Sequence, residues 1–415
     1  MFARAPRGLA ALAALSLACG DAGTGPTDPP PLLAGLPRPL TAVESDLAGA
    51  SNRFAFGLLA QAQSTDPGAS VFLSPLSASM ALGMTLNGAA GSTFAEMRQA
   101  LGFGPLTQPE INAGYRGLLD LLLDLDRSTE IQVANAIWAE TGFPFLPSFM
   151  ASGEQWFDAE IRNGDFDDPA TLAAVNSWVS AQTRGRIPTL LDAFDPQTVM
   201  ALLNAVYFKG QWREAFDRSD TRTAPFHAPS GDVMVATMHR EGKVAYVEQP
   251  DFQAVDLLYG NGGFAMTIVL PRTGLSPAAL TATLGEPGWR QLVAGLAERT
   301  VALALPRFRM EYRRDLSADL RALGMVLAFD DQRADFSNLA APPIQLFISS
   351  VVQKTFVDVN EEGTEAAAAT AVQVGVTSMP QVTEVRVDRP FLVVIRERFS
   401  GTILFLGQVT QVPAA

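Results

Sequence analysis

One cysteine, two histidines and three lysines in 415 residues leave several kinds of chemistry without the groups they need. Cys19 stands alone, so no disulfide can form within the chain and its stability has to come from packing. His227 and His239 are far from Cys19, which leaves nothing for a tetrahedral zinc site, and neither a metal nor a cofactor is expected. Lys209, Lys243 and Lys354 are the only lysines, and 30 basic against 43 acidic residues give a formal net charge of −13. A surface of that sign repels phosphate backbones and anionic lipid, which argues against a nucleic-acid partner. No Gly-x-Ser-x-Gly elbow occurs, and neither histidine sits beside a serine or cysteine in a nucleophile setting. The carboxylates Asp165, Asp167 and Asp168 crowd one loop and read as solvated. The sequence holds no recognisable constellation for an enzyme.

What is present begins with an address. Arg4 and Arg7 precede an apolar run from Gly8 to Ala18, too short to span a bilayer and shaped like a signal-peptide core. It stops at Leu15-Ser16-Leu17-Ala18-Cys19. A lone cysteine at that point resembles a bacterial lipoprotein processing site, although Ser16 and Leu17 stand in the reverse of the usual order. Residues 1–18 are therefore expected to be removed. Cys19 is expected to carry a lipid at the cell envelope, with plain secretion as the alternative, and a lipid would be the only membrane contact. Residues 19–40, with Pro29-Pro30-Pro31 at their centre, read as an unpacked tether. The folded part, 41–415, opens on the capping box Thr41-x-x-Glu44.

From 41 to about 190 the pattern is mostly helical: Ser74-Pro75 reads as a cap and first turn, and a helix near 173–183 ends at Gly185 with Pro188 beyond. Past 200, short apolar runs such as Phe264–Leu270, Val301–Leu305 and Phe391–Ile395 are bounded by turn residues. Gly260-Asn261-Gly262-Gly263 reads as a hairpin turn. Helices gathered early and strands gathered late predict one large α+β domain.

The informative stretch is 361–379. On alternate positions Thr364, Ala366, Ala368, Thr370, Val372, Val374 and Val376 are all small or β-branched, which makes one face fit for burial in a strand. Ala366, Ala367, Ala368 and Ala369 would be equally content in a helix. Strand, or helix followed by strand, both remain open on these residues alone.

Glu361-x-Gly363-Thr364-Glu365-Ala366-Ala367-Ala368-Ala369-Thr370 resembles the proximal hinge of inhibitory serpins. Val385-x-Val387-Asp388-Arg389-Pro390-Phe391-Leu392 is similar to the serpin carboxy-terminal signature. Further serpin-like stretches are Phe72 to Ser77, Asn87 to Thr93, Leu203 to Trp212 and Ala304 to Phe308, in the family's order from 41 to 412.

The resemblance implies three sheets, eight or nine helices and an exposed reactive loop. It implies a monomeric suicide substrate of serine proteases, with cysteine proteases as a second class. A protease attacks the loop, forms an acyl-enzyme, and is trapped when the cut loop inserts into the central sheet. Fifteen residues counted from Gly363, the usual interval, place the attacked carbonyl at Thr377 with Ser378 on the leaving side, Val376 and Met379 being the alternatives. Ser74, Ser77 and Asn204 match the serpin shutter, where Gln353 replaces the usual histidine, and Trp212 matches the breach tryptophan. A non-inhibitory binding or chaperone module is the other reading, against which the small residues from Thr364 to Ala369 argue.

Overall fold

The capping box forms as expected. Thr41 N–H donates to Glu44 Oε2 at 2.8 Å and Glu44 N–H to Thr41 Oγ1 at 3.2 Å, satisfying two donors at the start of the first helix. The computed structural model describes residues 30–364 and 382–414, and within them lie eight α-helices. In order, α1 (Ala42–Thr65), β1 (Val71–Leu73), α2 (Pro75–Thr85), α3 (Gly91–Ala100) and α4 (Gln108–Asp124) come first. There follow β2 (Glu130–Glu140), α5 (Pro147–Phe157), β3 (Glu160–Gly164), α6 (Pro169–Gln182) and β4 (Met200–Gln211). Next are β5 (Arg222–Ala228), β6 (Gly231–Glu248), β7 (Phe252–Leu258), β8 (Phe264–Pro271), α7 (Pro277–Gly295), β9 (Ala297–Pro306) and β10 (Phe308–Asp315). The chain closes with α8 (Ser317–Ala322), β11 (Val352–Asn360), β12 (Gly363–Thr364), β13 (Thr383–Arg386), β14 (Phe391–Glu397) and β15 (Ile403–Val409).

The helical reading of 41–190 missed the short β1 as well as β2 and β3. β2 lies between β4 and the edge strand β3, and its second half, residues 135–139, is covered on both faces. Ala136 and Trp138 pack with α6 residues Val175, Trp178 and Val179, while Ile137 joins the main core on the opposite side. Burial on both faces erases the polar–apolar alternation that marks a half-exposed strand.

β2 and β4 belong to a six-stranded sheet ordered β10-β11-β12-β4-β2-β3. The remaining strands form a nine-stranded sheet in which β6 pairs with β5 at its start, β7 at its end and β9 between. Two of the three expected sheets are thus continuous through the long strand β6. In this second sheet β8, β14 and β15 are buried along their whole length, which explains their uninterrupted apolar runs.

Residues 30–40 differ from the unpacked tether that their prolines suggest. Leu33 N–H donates to Asn261 O at 2.8 Å, Leu33, Leu36 and Leu40 pack against the main core, and Arg38 pairs with Glu44 at 2.7 Å. An extended segment without internal hydrogen bonds keeps its backbone groups free for other partners, and here the folded body supplies them.

Candidate functional site

The site begins where β12 is wedged between two strands. Thr364 lies opposite Val359 of β11 on one side and Gly210 of β4 on the other, and Gly363 opposite Asn360 and Gln211. Gly363 has φ +150°, and a Cβ there would stand 2.1 Å from Gly210 O, so only glycine fits. The Thr364 side chain is buried, and its Oγ1 meets the Tyr259 hydroxyl at 2.7 Å. Burial pushes the Tyr259 phenol far above its ordinary value, so it stays protonated. Its ring stacks on Trp212 with centroids 4.6 Å apart and rests over Gly210, where a Cβ would meet the ring at 2.6 Å. Trp212 secures the approach to the wedge: Nε1 donates to Asn360 O at 2.9 Å and its backbone N–H to Glu362 O at 2.8 Å.

Two carboxylates precede the wedge, and both are buried. Glu361 accepts from Arg307 Nε at 2.7 Å and also from Thr221 Oγ1, and Glu362 pairs with Arg218. Burial alone would raise the Glu361 carboxyl, but the hydrogen bonds from Arg307 and Thr221 outweigh it and hold it below the usual carboxylate range. A depressed pKa stabilises the fold above the unfolded value of about 4.3 and is lost as pH falls through the folded value. Glu361→Gln should therefore cost about 1–2 kcal/mol at pH 7, discounted because Arg307 is 44% exposed. That deficit should begin to shrink as pH falls below about 4.3 and disappear only below the lowered folded value. Urea midpoints of both proteins at pH 7, 5 and 3.5 check this, and a deficit independent of pH would refute the charge-based account.

Lower in the same sheet, the four expected cluster residues come together as two pairs. Gln353 on β11 grips the backbone of Ser74, its Oε1 accepting from Ser74 N–H at 3.0 Å and its Nε2 donating to Ser74 O at 2.8 Å. The Ser74 hydroxyl donates to Leu404 O at 2.9 Å instead of capping α2. On the β4 side Ser77 Oγ donates to Asn204 Oδ1, and Asn204 Nδ2 donates to Asn135 Oδ1 at 2.6 Å. The two pairs meet only through α2. Among the described residues β4 and β11 share no strand register, and a cavity of about 370 Å³ lies between them, lined by Leu203, Asn204, Val352 and Gln353 and floored by Ala78 and Ala81. Separating the two strands here breaks no hydrogen bond between Gln353 and Asn204.

Cys19, Glu365, Ala366, Ala367, Ala368, Ala369, Val376, Thr377, Ser378 and Met379 lie outside the described residues. His227 is exposed beside Asp232 at 2.8 Å, and His239 Nδ1 lies 3.1 Å from Asp220 O. Sequence reasoning missed Tyr259, Arg218 and Asn135. Only Tyr259 had a visible marker, its place directly before the glycine-rich turn.

The chain matches the family model described as serpin (serine protease inhibitor) over residues 49–412. The leukocyte elastase inhibitor of Sus scrofa is 36% identical over 378 residues, covering 88% of this chain and 99% of that protein. Among solved structures, the thermophilic serpin tengpin in its native state superposes with a TM-score of 0.82 at 28% identity, covering 90% of this chain and 96% of that one. Human thyroxine-binding globulin in complex with thyroxine gives the same TM-score and identity, over 90% of this chain and 100% of that one. The overall fold is thus shared with a native-state serpin and with a thyroxine-binding globulin.

Proposed function

This chain belongs to the serpin family, and we propose that it inhibits serine proteases as a suicide substrate by loop cleavage, acyl-enzyme trapping and strand insertion. One observation carries the reading. Gly363 and Thr364 are seated as a strand between β11 and β4, above a length of seam in which the described parts of those strands pair with nothing across the gap. The segment that follows has small and β-branched residues on the face Thr364 shares, so it can continue downward without steric cost. The 14 residue steps from Gly363 to Thr377 correspond to roughly 45–50 Å of strand at ~3.3 Å each. A protease esterified at Thr377 would be carried about that far before water could release it.

The target class follows from charge. No Lys or Arg lies between Thr364 and Glu384. A trypsin-like pocket built around a buried carboxylate would find no partner in this loop. Shallow apolar pockets of the elastase or subtilisin kind suit Thr377 or Val376, and a chymotrypsin-like pocket suits Met379.

The test is a panel of such proteases on denaturing gels, with mass measurement of what is released. A stable complex and a peptide of 38 residues, 378–415, are expected. Cleavage with no complex would leave a non-inhibitory binding module as the better reading. Trapping of trypsin with a cut after Arg386 would overturn both the bond and the specificity.

A further inference from the structure

Two arginines, from segments 185 residues apart, treat the same turn in the same way. Arg213 Nη1 donates to Gly260 O at 3.0 Å and to Pro30 O at 2.7 Å. Arg398 Nε donates to Gly262 O at 2.6 Å, and its Nη2 to Leu33 O at 2.7 Å. Each guanidinium thus joins one carbonyl of the 259–263 turn to one carbonyl of the amino-terminal segment. Leu33 N–H closes the arrangement on Asn261 O at 2.8 Å, and Leu32 lies across Gly262 so closely that a Cβ there would meet it at 2.6 Å.

The clamped turn begins at Tyr259, the residue that holds Thr364. Gly260 N–H donates to Gln211 O at 3.0 Å, and Arg213 follows the stacked Trp212 directly, with its own N–H on Leu258 O at 2.8 Å. A continuous set of contacts therefore runs from Pro30 through Arg213 and Gly260 to Tyr259 and Thr364. The carboxy-terminal end of β4 cannot move away from the β7–β8 turn without loosening it.

We propose that residues 30–33 are a strap that braces the hinge, with Arg213 and Arg398 as its fasteners, and that releasing it speeds spontaneous movement of the hinge into the sheet. The prolines serve this role. Pro30 and Pro31 hold an extended backbone with few alternatives, so docking sacrifices little chain entropy, and their carbonyls stay free to accept. The consequence for inhibition rests on the proposed function, whereas the bracing itself does not.

The test uses the full chain with residues 30–33 deleted, the full chain with Arg213→Ala, and the two changes combined. Hydrogen exchange of the Trp212 and Gly260 amides reports the brace, and the half-time for conversion at 37 °C to a heat-resistant form that no protease has cut reports the hinge. Deletion is expected to raise both rates by about tenfold, the loss of one or two net hydrogen bonds. Arg213→Ala should do nearly as much alone and add little once the strap is gone, which a merely structural arginine would not show. Exchange and conversion rates equal to those of the intact chain would overturn the strap, as would fully additive effects of the two changes. If the intact chain traps no protease while the exchange rates respond as expected, the proposed function fails and the strap stands.

Discussion

Replacing Thr364 with arginine should leave cleavage of the loop intact while abolishing capture of the protease. Thr364 is 2% exposed, and its hydroxyl sits on Tyr259. The rings around it are already committed, since Tyr259 stacks on Trp212 and stands edge-on to Phe208 with centroids 4.9 Å apart. A guanidinium entering this place would meet carboxylates already paired, Glu361 with Arg307 and Glu362 with Arg218, which leave only the buried Glu362 Oε2 without a partner. An unpaired charge there costs several kcal/mol. The alternative is that residue 364 stays out and β12 does not form. Capture is a race between insertion and hydrolysis of the acyl-enzyme, and each 1.4 kcal/mol added to the insertion barrier slows it about tenfold. A penalty of about 3 kcal/mol therefore slows insertion roughly a hundredfold and hands the race to hydrolysis. The stoichiometry of inhibition measures the outcome: Thr364→Arg should be turned over many times per protease captured, while Thr364→Ser, which keeps the hydroxyl, should stay near the parent. Unchanged stoichiometry in the arginine variant would mean that insertion at this hinge is not how the protein works.

Thr364 is held by Tyr259, a residue that the sequence does not connect to it. The buried face of the hinge is visible in the alternation from Thr364 onward, because a strand's period is local. The partner across the gap is set by packing between residues 105 apart and leaves no local trace. Arg218 and Glu362 show the same limit, 144 residues apart. Ser74 shows a different one. Ser-Pro at a helix start reads as a cap, yet its hydroxyl serves Leu404 O while Gln353 takes the backbone groups, a tertiary demand overriding a local preference. β2 was missed because a strand covered on both faces loses its alternation. Residues 30–40 were misread because proline content predicts extension correctly but says nothing of what the extended chain lies against. The helix–strand order, the α1 cap and the turn at 260–263 were legible because each rests on neighbours within a few residues.

Cutting the loop within residues 370–379 should make the protein markedly more resistant to heat, and the two registers around β12 say why. Gly363 faces Gln211 and Thr364 faces Gly210, so continued pairing on β4 brings residue 370 opposite Asn204 and residue 374 opposite Met200, the first residue of the strand. On β11 the facing of Thr364 with Val359 likewise brings residue 370 opposite Gln353 and residue 371 opposite Val352, the first residue of that strand. Two independent registers thus deliver Thr370 between the two halves of the polar cluster that no hydrogen bond now joins. A threonine hydroxyl can donate to one amide and accept from the other. Insertion also gives backbone partners to the facing edges of β4 and β11, and it fills the cavity between them with small side chains. The uncut chain is hindered from reaching this arrangement because both ends of its loop are held, one at Thr364 and the other at β13, which pairs with β9. Cleavage frees one end. A gain of even 5–10 kcal/mol, at roughly 1.2 °C per kcal/mol for a chain of this size, would raise the Tm by about 6–12 °C. Melting before and after limited proteolysis measures it, and Thr370→Val should give back about 1–3 kcal/mol of the gain in the cut form. A Tm that stays level or falls after cutting would mean that the seam between β4 and β11 does not accept the loop, and the chain would then be read as a binding module on a serpin scaffold.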